Sequence, residues 1–505
     1  ERMTFMKKTI SSMLLTTIFL SLLASASCGG GNVDTPVTSG ADTTSGETTA
    51  EEKVGYDDDI PADLNFGGET INVFSRAHFR FNDEVTVDEA NGDVVNDAIY
   101  DREIAVEDRL GVKIENFKDN PEAGHGSIDK MQKMILAGDD TYDIFTASMY
   151  HVAPAAANGI FTNLFDVEYI DTTKPYYTQD YITKSQMGGN LYAITGDISL
   201  SLLRYSFAMY FNKTLVDSYG LEDPYALVRD GKWTHDKLTS MVTDIYSDLN
   251  GDGKQDDEDL YGLGTSNVII VDAYCSAYKM NMMDVGDDGF PYFSIDLDKF
   301  SSAVDKIFDL NWQTNGVHAY KEISDNNEMT DLCNYFSQDH LVFIHNWLYA
   351  SETSYLRDMK SDYGIIPYPK YDENQDGYYT FQHDQIGLFT IPVTSTKKDM
   401  AGAVLEAMSS ESSKTVVPSY YEVALKSKYS RDSESAEMID IIHNGHMLDP
   451  AWIYCSYIGD LAQAPRNLML KEKRDFMSFY DSNKSKYQKN LDKLIKDFKS
   501  LEETN

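Results

Sequence analysis

Apolar and polar positions alternate regularly in the first part of the chain and predict strands and helices in turn. A period of two indicates a strand, and apolar residues spaced three and four apart indicate a helix. The sequence predicts strands over 69–75, 112–117 and 142–146, and helices over 96–110, 128–137 and 153–157. Gly111 marks the end of the first helix, because glycine commonly ends helices. Strands and helices in this order are typical of an α/β fold with parallel strands.

The second half of the chain is less regular. A long apolar and aromatic run covers residues 200–212 without a helical stop. Short apolar segments predict further strands over 341–346, 363–367 and 387–391, and helical spacing predicts helices over 400–409, 436–443 and 483–501. This order favours two α/β lobes joined by more than one crossing of the chain.

The N-terminal segment has the composition of a secretory leader. Lys7 and Lys8 precede an apolar stretch over 10–23, and small residues then lead to Cys28. The apolar stretch is shorter than the roughly 20 residues that a transmembrane helix needs. Residues 6–27 are therefore predicted to be a signal peptide, and residues 1–5 an upstream extension of the reading frame.

The end of this leader resembles the lipobox of bacterial lipoproteins, in which the cysteine is lipidated and becomes the mature N-terminus. The resemblance implies lipidation of Cys28 and a protein tethered to a membrane outside the cytoplasm. Ser25 stands where the lipobox has a large aliphatic residue, so an ordinary cleaved signal with a free Cys28 is the alternative. Residues 28–65, rich in Gly, Thr, Ser, Asp and Glu, are predicted to form a flexible tether.

Composition and net charge exclude some classes of function. The chain has 505 residues, enough for two or three domains after removal of the leader, and a formal net charge of −39. Such an acidic chain is unsuited to nucleic acid or to anionic lipid, both of which attract basic surfaces. Besides Cys28 the chain has Cys275, Cys333 and Cys455, which are far apart and lack the spacing of a zinc site. The alternatives for these three are buried free thiols or one disulfide.

Several short motifs match one family in order and spacing. They are LYAIT at 191–195, MYFNK at 209–213, YGL at 219–221, GKWT at 231–234, AGDDTYD at 137–143, GIFTNL at 159–164 and YGIIPYP at 363–369. Together they resemble the extracellular solute-binding proteins, of the family 1 type, of bacterial ABC importers. The resemblance covers residues 69 to about 450.

The resemblance implies a type II periplasmic-binding-protein fold, with two α/β lobes around a hinged ligand cleft. By analogy with the carbohydrate-binding branch, lobe 1 comprises residues 66–200 plus 383–412, and lobe 2 residues 201–382 plus 413–505. The expected function is the capture of an oligosaccharide by lobe closure and its delivery to a membrane permease, without catalysis. A monomer is expected, with no nucleic-acid partner.

One acidic segment has the spacing of a calcium-binding loop. Residues 248–259 fit an EF-hand pattern, with Gly253 at the position where the backbone must turn sharply. Calcium prefers a crowd of hard oxygen ligands. The predicted ligands are the side chains of Asp248, Asn250, Asp252, Asp256 and Asp259 and the carbonyl of Lys254. Aspartate instead of glutamate at the last position shortens the reach of that ligand, and a solvated acidic turn is the alternative.

Candidate sugar contacts are aromatic or polar residues next to predicted strands and crossings. Aromatic faces cover the apolar side of a sugar ring, and polar groups satisfy its hydroxyls. Trp347 is the first choice, because in the maltose-type branch the corresponding stretch carries a stacking tryptophan. The remaining candidates are Tyr150, Arg76, Asp197, Arg204, His383 and Asp384.

Two other classes of function compete with solute binding. A cell-surface hydrolase of carbohydrate needs two positioned carboxyl groups, and no acid pair stands out in so acidic a chain. The sequence also lacks the serine-hydrolase, zinc-protease, P-loop and dinucleotide motifs. The third class is a calcium-stabilised surface adhesion protein without a transport role.

Overall fold

A computed structural model describes residues 55–77, 83–119, 125–266, 269–320, 328–429, 431–459 and 461–502. The predicted leader, Cys28 and most of the predicted tether lie outside the described residues. Residues 55–65, the last part of that tether, pack on the folded body. Ile60 is buried, and the Asp58 carboxylate pairs with the Arg109 guanidinium at 2.6 Å.

Fourteen strands make up the described sheets. They are β1 (Glu69–Arg76), β2 (Val112–Asp119), β3 (Ile144–Ser148), β4 (Phe207–Asn212), β5 (Tyr246–Ser247), β6 (Leu260–Ser266), β7 (Met283–Val285), β8 (Pro291–Phe293), β9 (Val317–Tyr320), β10 (Leu341–Trp347), β11 (Tyr363–Ile366), β12 (Thr380–Phe381), β13 (Gly387–Thr390) and β14 (His446–Met447). Strands predicted from the apolar pattern all recur here, with ends shifted by one or two residues.

The first sheet has the order β13-β3-β1-β2. β1 runs parallel to both β2 and β3, which confirms the parallel arrangement predicted from the sequence. β13 joins from far along the chain and runs antiparallel to β3. All residues of β3 and β13 are buried, as expected for strands covered on both faces.

The second sheet has the order β11-β4-β10-β6-β5, with β9 also paired to β6. β10 runs parallel to β6 and antiparallel to β4. Small two-stranded sheets join β12 to β14 and β7 to β8. Strands of the first sheet come from residues 69–148 and 387–390, and those of the second from 207–366. The residues at which one lobe gives way to the other stay a prediction.

Helices cover the faces of both sheets. They are Val94–Leu110, His125–Leu136, Met149–Ala155, Gln179–Ser185, Leu200–Arg204, Lys213–Ser218, Pro224–Arg229, His235–Val242, Ile269–Ala277, Leu297–Gln313, Glu328–Ser337, Ser354–Asp358, Lys398–Lys414, Val416–Pro418, Ser433–Asn444, Pro450–Ile453, Cys455–Ile458, Ala464–Met469 and Phe476–Glu502. Three 3₁₀ turns (Ala156–Asn158, Leu164–Asp166, Leu348–Glu352) and a π-helix over Ser419–Tyr429 complete the list.

Local sequence explains where several of these helices begin and end. Asp93 caps the first helix by accepting hydrogen bonds from the N–H groups of Val95 and Asn96. Gly111 ends the same helix in the left-handed conformation, at φ 59°, as the sequence predicts. The apolar run over 200–212 divides into a short helix and β4, because Tyr205 leaves the helical conformation.

Cys275, Cys333 and Cys455 are free and buried, which confirms the first of the two alternatives for the cysteines. Among the described residues, none of the helices combines the length and apolarity that a membrane crossing requires.

Candidate ligand-binding site between the sheets

Arg76, the last residue of β1, is buried beside the segment that joins β12 to β13. Its guanidinium contacts the Glu84 carboxylate at 3.4 Å and donates to the carbonyl of Gln385 at 2.5 Å. Burial lowers the pKa of Arg76, and the neighbouring carboxylate of Glu84 counteracts this effect. Glu84 in turn accepts hydrogen bonds from the Ser199 hydroxyl and the Ser201 N–H, so the charged pair is fixed to the crossing that leads to the second sheet.

Trp347 is the last residue of β10 and is buried beside the same segment. Its ring meets Tyr205 edge-on, with centroids 4.8 Å apart, and it also contacts Phe207 and His383. Only 2% of the tryptophan is exposed. Phe207 begins β4 and Tyr205 lies just before it, whereas His383 lies in the segment before β13. This aromatic cluster therefore joins residues near both sheets.

His383 and Asp384 lie in the return segment between β12 and β13. The His383 Nδ1 atom is 2.8 Å from the Asp384 carboxylate, and the His383 ring stacks on Phe207 with centroids 5.8 Å apart. Burial raises the pKa of Asp384, but His383 and Arg466 lower it more, so it lies below its usual value. Asp384 is thus a charged acceptor in this cluster.

Tyr150 follows β3 and approaches the same segment from the first sheet. Its N–H donates to the carbonyl of Asp384 at 2.9 Å, and its carbonyl accepts from the Ser456 hydroxyl. The half-buried ring stands edge-on to His151. Tyr150 therefore lies beside the cluster and retains exposed surface.

Arg204 forms a second charged group at the crossing into β4. Its guanidinium contacts both carboxylate oxygens of Glu352 at 3.1 Å and those of Asp83 at 2.9 and 3.1 Å. Burial lowers the pKa of Arg204, but Glu352 and Asp83 raise it more, so the side chain stays charged. The guanidinium also lies over the rings of Tyr349 and Tyr420. Arg204 therefore holds these segments together and is not an open ligand contact.

The structure separates Asp197 from the other candidates. Arg76, Tyr150, Trp347, His383 and Asp384 come together, whereas Asp197 lines a different cavity. That cavity, of about 260 Å³, also includes Gln382, His443 and His446.

The sequence did not single out three residues that belong to the candidate site. Glu84 and Tyr205 contact Arg76 and Trp347, and Arg466 pairs with Asp272 at 3.3 Å next to Asp384. Arg466 lies over 80 residues beyond Asp384, so no local pattern connects them. Tyr205 could have been found from the sequence, because it is an aromatic residue at the point where the apolar run changes from helix to strand.

The predicted calcium loop is described in full. Asp248 accepts from the N–H groups of Gly251 and Gly253, and both glycines have left-handed backbones, at φ 77° and 74°. The Tyr246 hydroxyl lies 2.9 Å from Asp259 Oδ2 and 3.1 Å from the Lys254 carbonyl, which brings two predicted ligand oxygens close together. In the described part of the chain, no three His, Cys, Asp or Glu side chains are grouped as a metal site requires.

The sequence matches no protein-family model and no curated protein. Solved structures do match. A sugar transporter protein from Rhizobium etli, in an open conformation, has 14% identity and a TM-score of 0.54, over 85% of this chain and 99% of that one. An ABC substrate-binding protein from Listeria monocytogenes, in complex with cycloalternan, has 12% identity and a TM-score of 0.51, over 85% and 98% of the two chains.

A third match is an ABC transporter solute-binding protein from Thermotoga lettingae, bound to α-D-tagatose. It has 15% identity and a TM-score of 0.51, and covers 85% of this chain and all of the other, at 100%. These likenesses establish the fold of the chain. The chain has the type II periplasmic-binding-protein fold of ABC solute-binding proteins, as the sequence motifs predicted.

Proposed function

We propose that this protein is the extracytoplasmic solute-binding component of an ABC importer and that it captures an oligosaccharide. The observation that carries the proposal is the aromatic and charged cluster around Trp347, which lies between two sheets whose fold is that of solute-binding proteins. The Listeria and Thermotoga structures with this fold hold cycloalternan and α-D-tagatose, which supports a carbohydrate ligand.

The site is suited to binding without chemistry. When the lobes part and uncover the cluster, a sugar can stack its apolar ring face on Trp347 or Tyr150 and donate hydroxyl protons to Asp384. Arg76 supplies donors from the opposite sheet, so a ligand in contact with both would hold the lobes closed. The matched structures are binding proteins by description, which supports this reading over a surface hydrolase or an adhesion protein.

The test is a thermal-shift screen of residues 55–505 against mono- and oligosaccharides, followed by calorimetry of each hit. A ligand at 100 times its Kd adds about 2.7 kcal/mol to the free energy of unfolding. We expect a selective oligosaccharide hit and at least a tenfold weaker affinity in Trp347→Ala. Trp347→Phe keeps most of the packing and serves if the alanine variant does not fold.

Trp312→Ala is the matched control, because this half-buried tryptophan lies on the helix Leu297–Gln313, outside the cluster. Its affinity should equal that of the unmutated protein. Absence of any carbohydrate response would overturn the carbohydrate assignment. Equal losses in the Trp347 and Trp312 variants would overturn the placement of the site.

We further propose that Cys28 carries a lipid anchor. The order of charged, apolar and small residues over 6–27 supports this anchor. A second support is that ABC solute-binding proteins, whose fold this chain has, act outside the cytoplasm. Labelling with an alkyne fatty acid should mark the full-length protein, and Cys28→Ala should abolish the label and release the protein from membranes. Label retained in Cys28→Ala would contradict the proposal.

The loop at 248–259 is proposed to bind calcium in a structural role. Support comes from its oxygen-rich sequence, the two left-handed glycines and the approach of Lys254 O to Asp259. Carboxylate oxygens carry two lone pairs, so those that accept an N–H still have one for a cation. Such a cation would tie this loop to β5 and β6, whose ends it connects.

A further inference from the structure

The last helix, Phe476–Glu502, packs on the body through one face and exposes the opposite face. Its buried residues in the second half have the spacing of an amphipathic helix: Tyr487, Leu491, Leu494 and Phe498. Phe498 lies against Tyr192 and Tyr454, with ring centroids 5.5 and 6.3 Å apart. The exposed face is therefore held in a fixed orientation relative to the body.

Four lysines run along the exposed face of this helix. They are Lys486, Lys489, Lys493 and Lys496, and all four are exposed. Their spacing of three, four and three residues places them within an arc of about 80° around a helix of 3.6 residues per turn. These four residues form the lysine stripe.

Most of the charge of the lysine stripe is not neutralised by neighbouring carboxylates. Among the described residues, only Lys493 of the four forms an ion pair, with Asp497 at 2.7 Å. Asp492, at the edge of the stripe, accepts a hydrogen bond from the Gln488 amide at 2.8 Å instead. The stripe thus keeps a net positive charge, although the chain as a whole has a formal net charge of −39.

The net charge of the whole chain does not decide what binds at this face. Charges in solution act over a Debye length of about 8 Å at physiological ionic strength. A partner in contact with the stripe therefore responds to the lysines and their immediate neighbours, and little to carboxylates elsewhere on the surface. The exclusion of anionic lipid from the total charge consequently applies to the surface on average and not to this helix.

We propose that the lysine stripe is a membrane-facing surface, which lies against anionic lipid headgroups while the protein is tethered. Clustered lysines close to a membrane are attracted to such headgroups. The proposal rests on the proposed lipid anchor at Cys28, because a tether keeps the protein near enough for so short-ranged an attraction. Residues 29–54 can extend about 90 Å at most, which lets this helix reach the headgroups.

The test holds residues 29–505 on vesicles through an N-terminal hexahistidine tag and a nickel-chelating lipid. Because the tag replaces the anchor, the result does not depend on lipidation of Cys28. A fluorescent donor is attached at Ser485→Cys on the exposed face of the helix, where it is the reactive thiol because the other three are buried, and acceptors label the headgroups.

We expect energy transfer from this donor to rise at least about 1.5-fold when about 30% phosphatidylglycerol replaces neutral lipid. About 0.5 M salt should abolish the rise, because it shortens the Debye length. Transfer that is the same on neutral and anionic vesicles would overturn the proposal and would leave the lipid anchor and the sugar site untouched.

Two triple variants locate the effect. The first combines Lys489→Gln, Lys493→Gln and Lys496→Gln. The matched control combines Lys113→Gln, Lys133→Gln and Lys232→Gln, at exposed positions elsewhere. Glutamine favours helix about as much as lysine, and both variants change the net charge equally. The first variant should lose the rise in transfer and the control should keep it; equal behaviour of the two would overturn the proposal.

A second donor position reports the orientation of the body. Ser218 is exposed on the helix Lys213–Ser218, which packs on β11, β4 and β10. The last helix rests instead on Leu297–Gln313, which packs on β9 at the other end of the second sheet. A donor at Ser218→Cys should show no rise with anionic lipid, and an equal rise at both positions would contradict the proposal. A dimer in solution that the first triple variant abolishes would assign the stripe to a second copy and overturn the membrane assignment.

Discussion

The buried carboxyl group of Glu406 should make the stability of the protein depend on pH. Glu406 is 1% exposed on the helix Lys398–Lys414. Its carboxylate accepts hydrogen bonds from the hydroxyls of Tyr176 and Tyr177 and from the N–H of Asp171. Burial raises its pKa to about 7, more than these three donors lower it.

The sign and size of the effect follow from this pKa. In the unfolded chain Glu406 titrates near the ordinary value of 4.5, so below pH 4.5 it is protonated in both states. Between pH 4.5 and 7 the unfolded chain releases the proton first, and the folded state loses stability as the pH rises. A change from 4.5 to about 7 corresponds to about 3 kcal/mol, at about 1.36 kcal/mol for each pKa unit.

Glu406→Gln removes this titration and keeps an oxygen acceptor for one tyrosine. Urea unfolding followed by tryptophan fluorescence at pH 5, 6, 7 and 8 gives the free energy of unfolding of both proteins. Relative to the unmutated protein, the free energy of unfolding of the variant should rise by about 2.5 kcal/mol between pH 5 and 8. Glu373→Gln, at an exposed position, is the control and should show no such trend. A Glu406→Gln difference that stays constant within about 0.5 kcal/mol over this range would refute the reasoning.

Three further predictions test other parts of the structure. Gly196→Ala should lower the free energy of unfolding by more than about 3 kcal/mol or prevent folding. The reason is that φ of Gly196 is 155° and an added Cβ would lie 2.0 Å from the Tyr176 carbonyl oxygen. A variant whose free energy of unfolding in urea lies within about 1 kcal/mol of that of the unmutated protein would contradict this. Chelation of calcium should lower the Tm of the unmutated protein but not of Asp248→Asn, and equal Tm values with and without chelator in the unmutated protein would exclude the loop as a structural calcium site. In the 55–505 protein, the buried thiols of Cys275, Cys333 and Cys455 should react with a thiol reagent only after denaturation, and fast labelling of the native protein would count against their burial.

Much of the fold could be predicted because its periodic elements are locally encoded. Asp93 and Gly111 bracket one helix, and the alternation over 69–75 marks β1; both features depend on neighbouring residues alone. The segment LYAIT at 191–195 forms one isolated bridge, from Ile194 to Phe389, rather than a strand of its own. Its conformation depends on a partner almost 200 residues away, which no local pattern reports.

Candidate residues that follow a strand come together in the structure, whereas Asp197, a candidate from an irregular segment, lies apart from them. Arg76, Tyr150 and Trp347 were chosen from strand ends, and they meet around the return segment. Asp197 was chosen by its place before a crossing, yet it faces the other side, because a side chain's direction in an irregular segment is not encoded by spacing. Arg466 pairs across the fold, so its role is visible only in three dimensions.

The long-range pairing of β13 with β3 has a consequence for folding. Ser148 pairs with Gly387, so the first sheet cannot be completed until most of the chain exists. At about 5–20 residues per second, synthesis of the intervening segment takes about 10–50 s. Contacts of such high sequence separation also slow folding after synthesis. The nascent chain thus remains without a finished first sheet for many seconds.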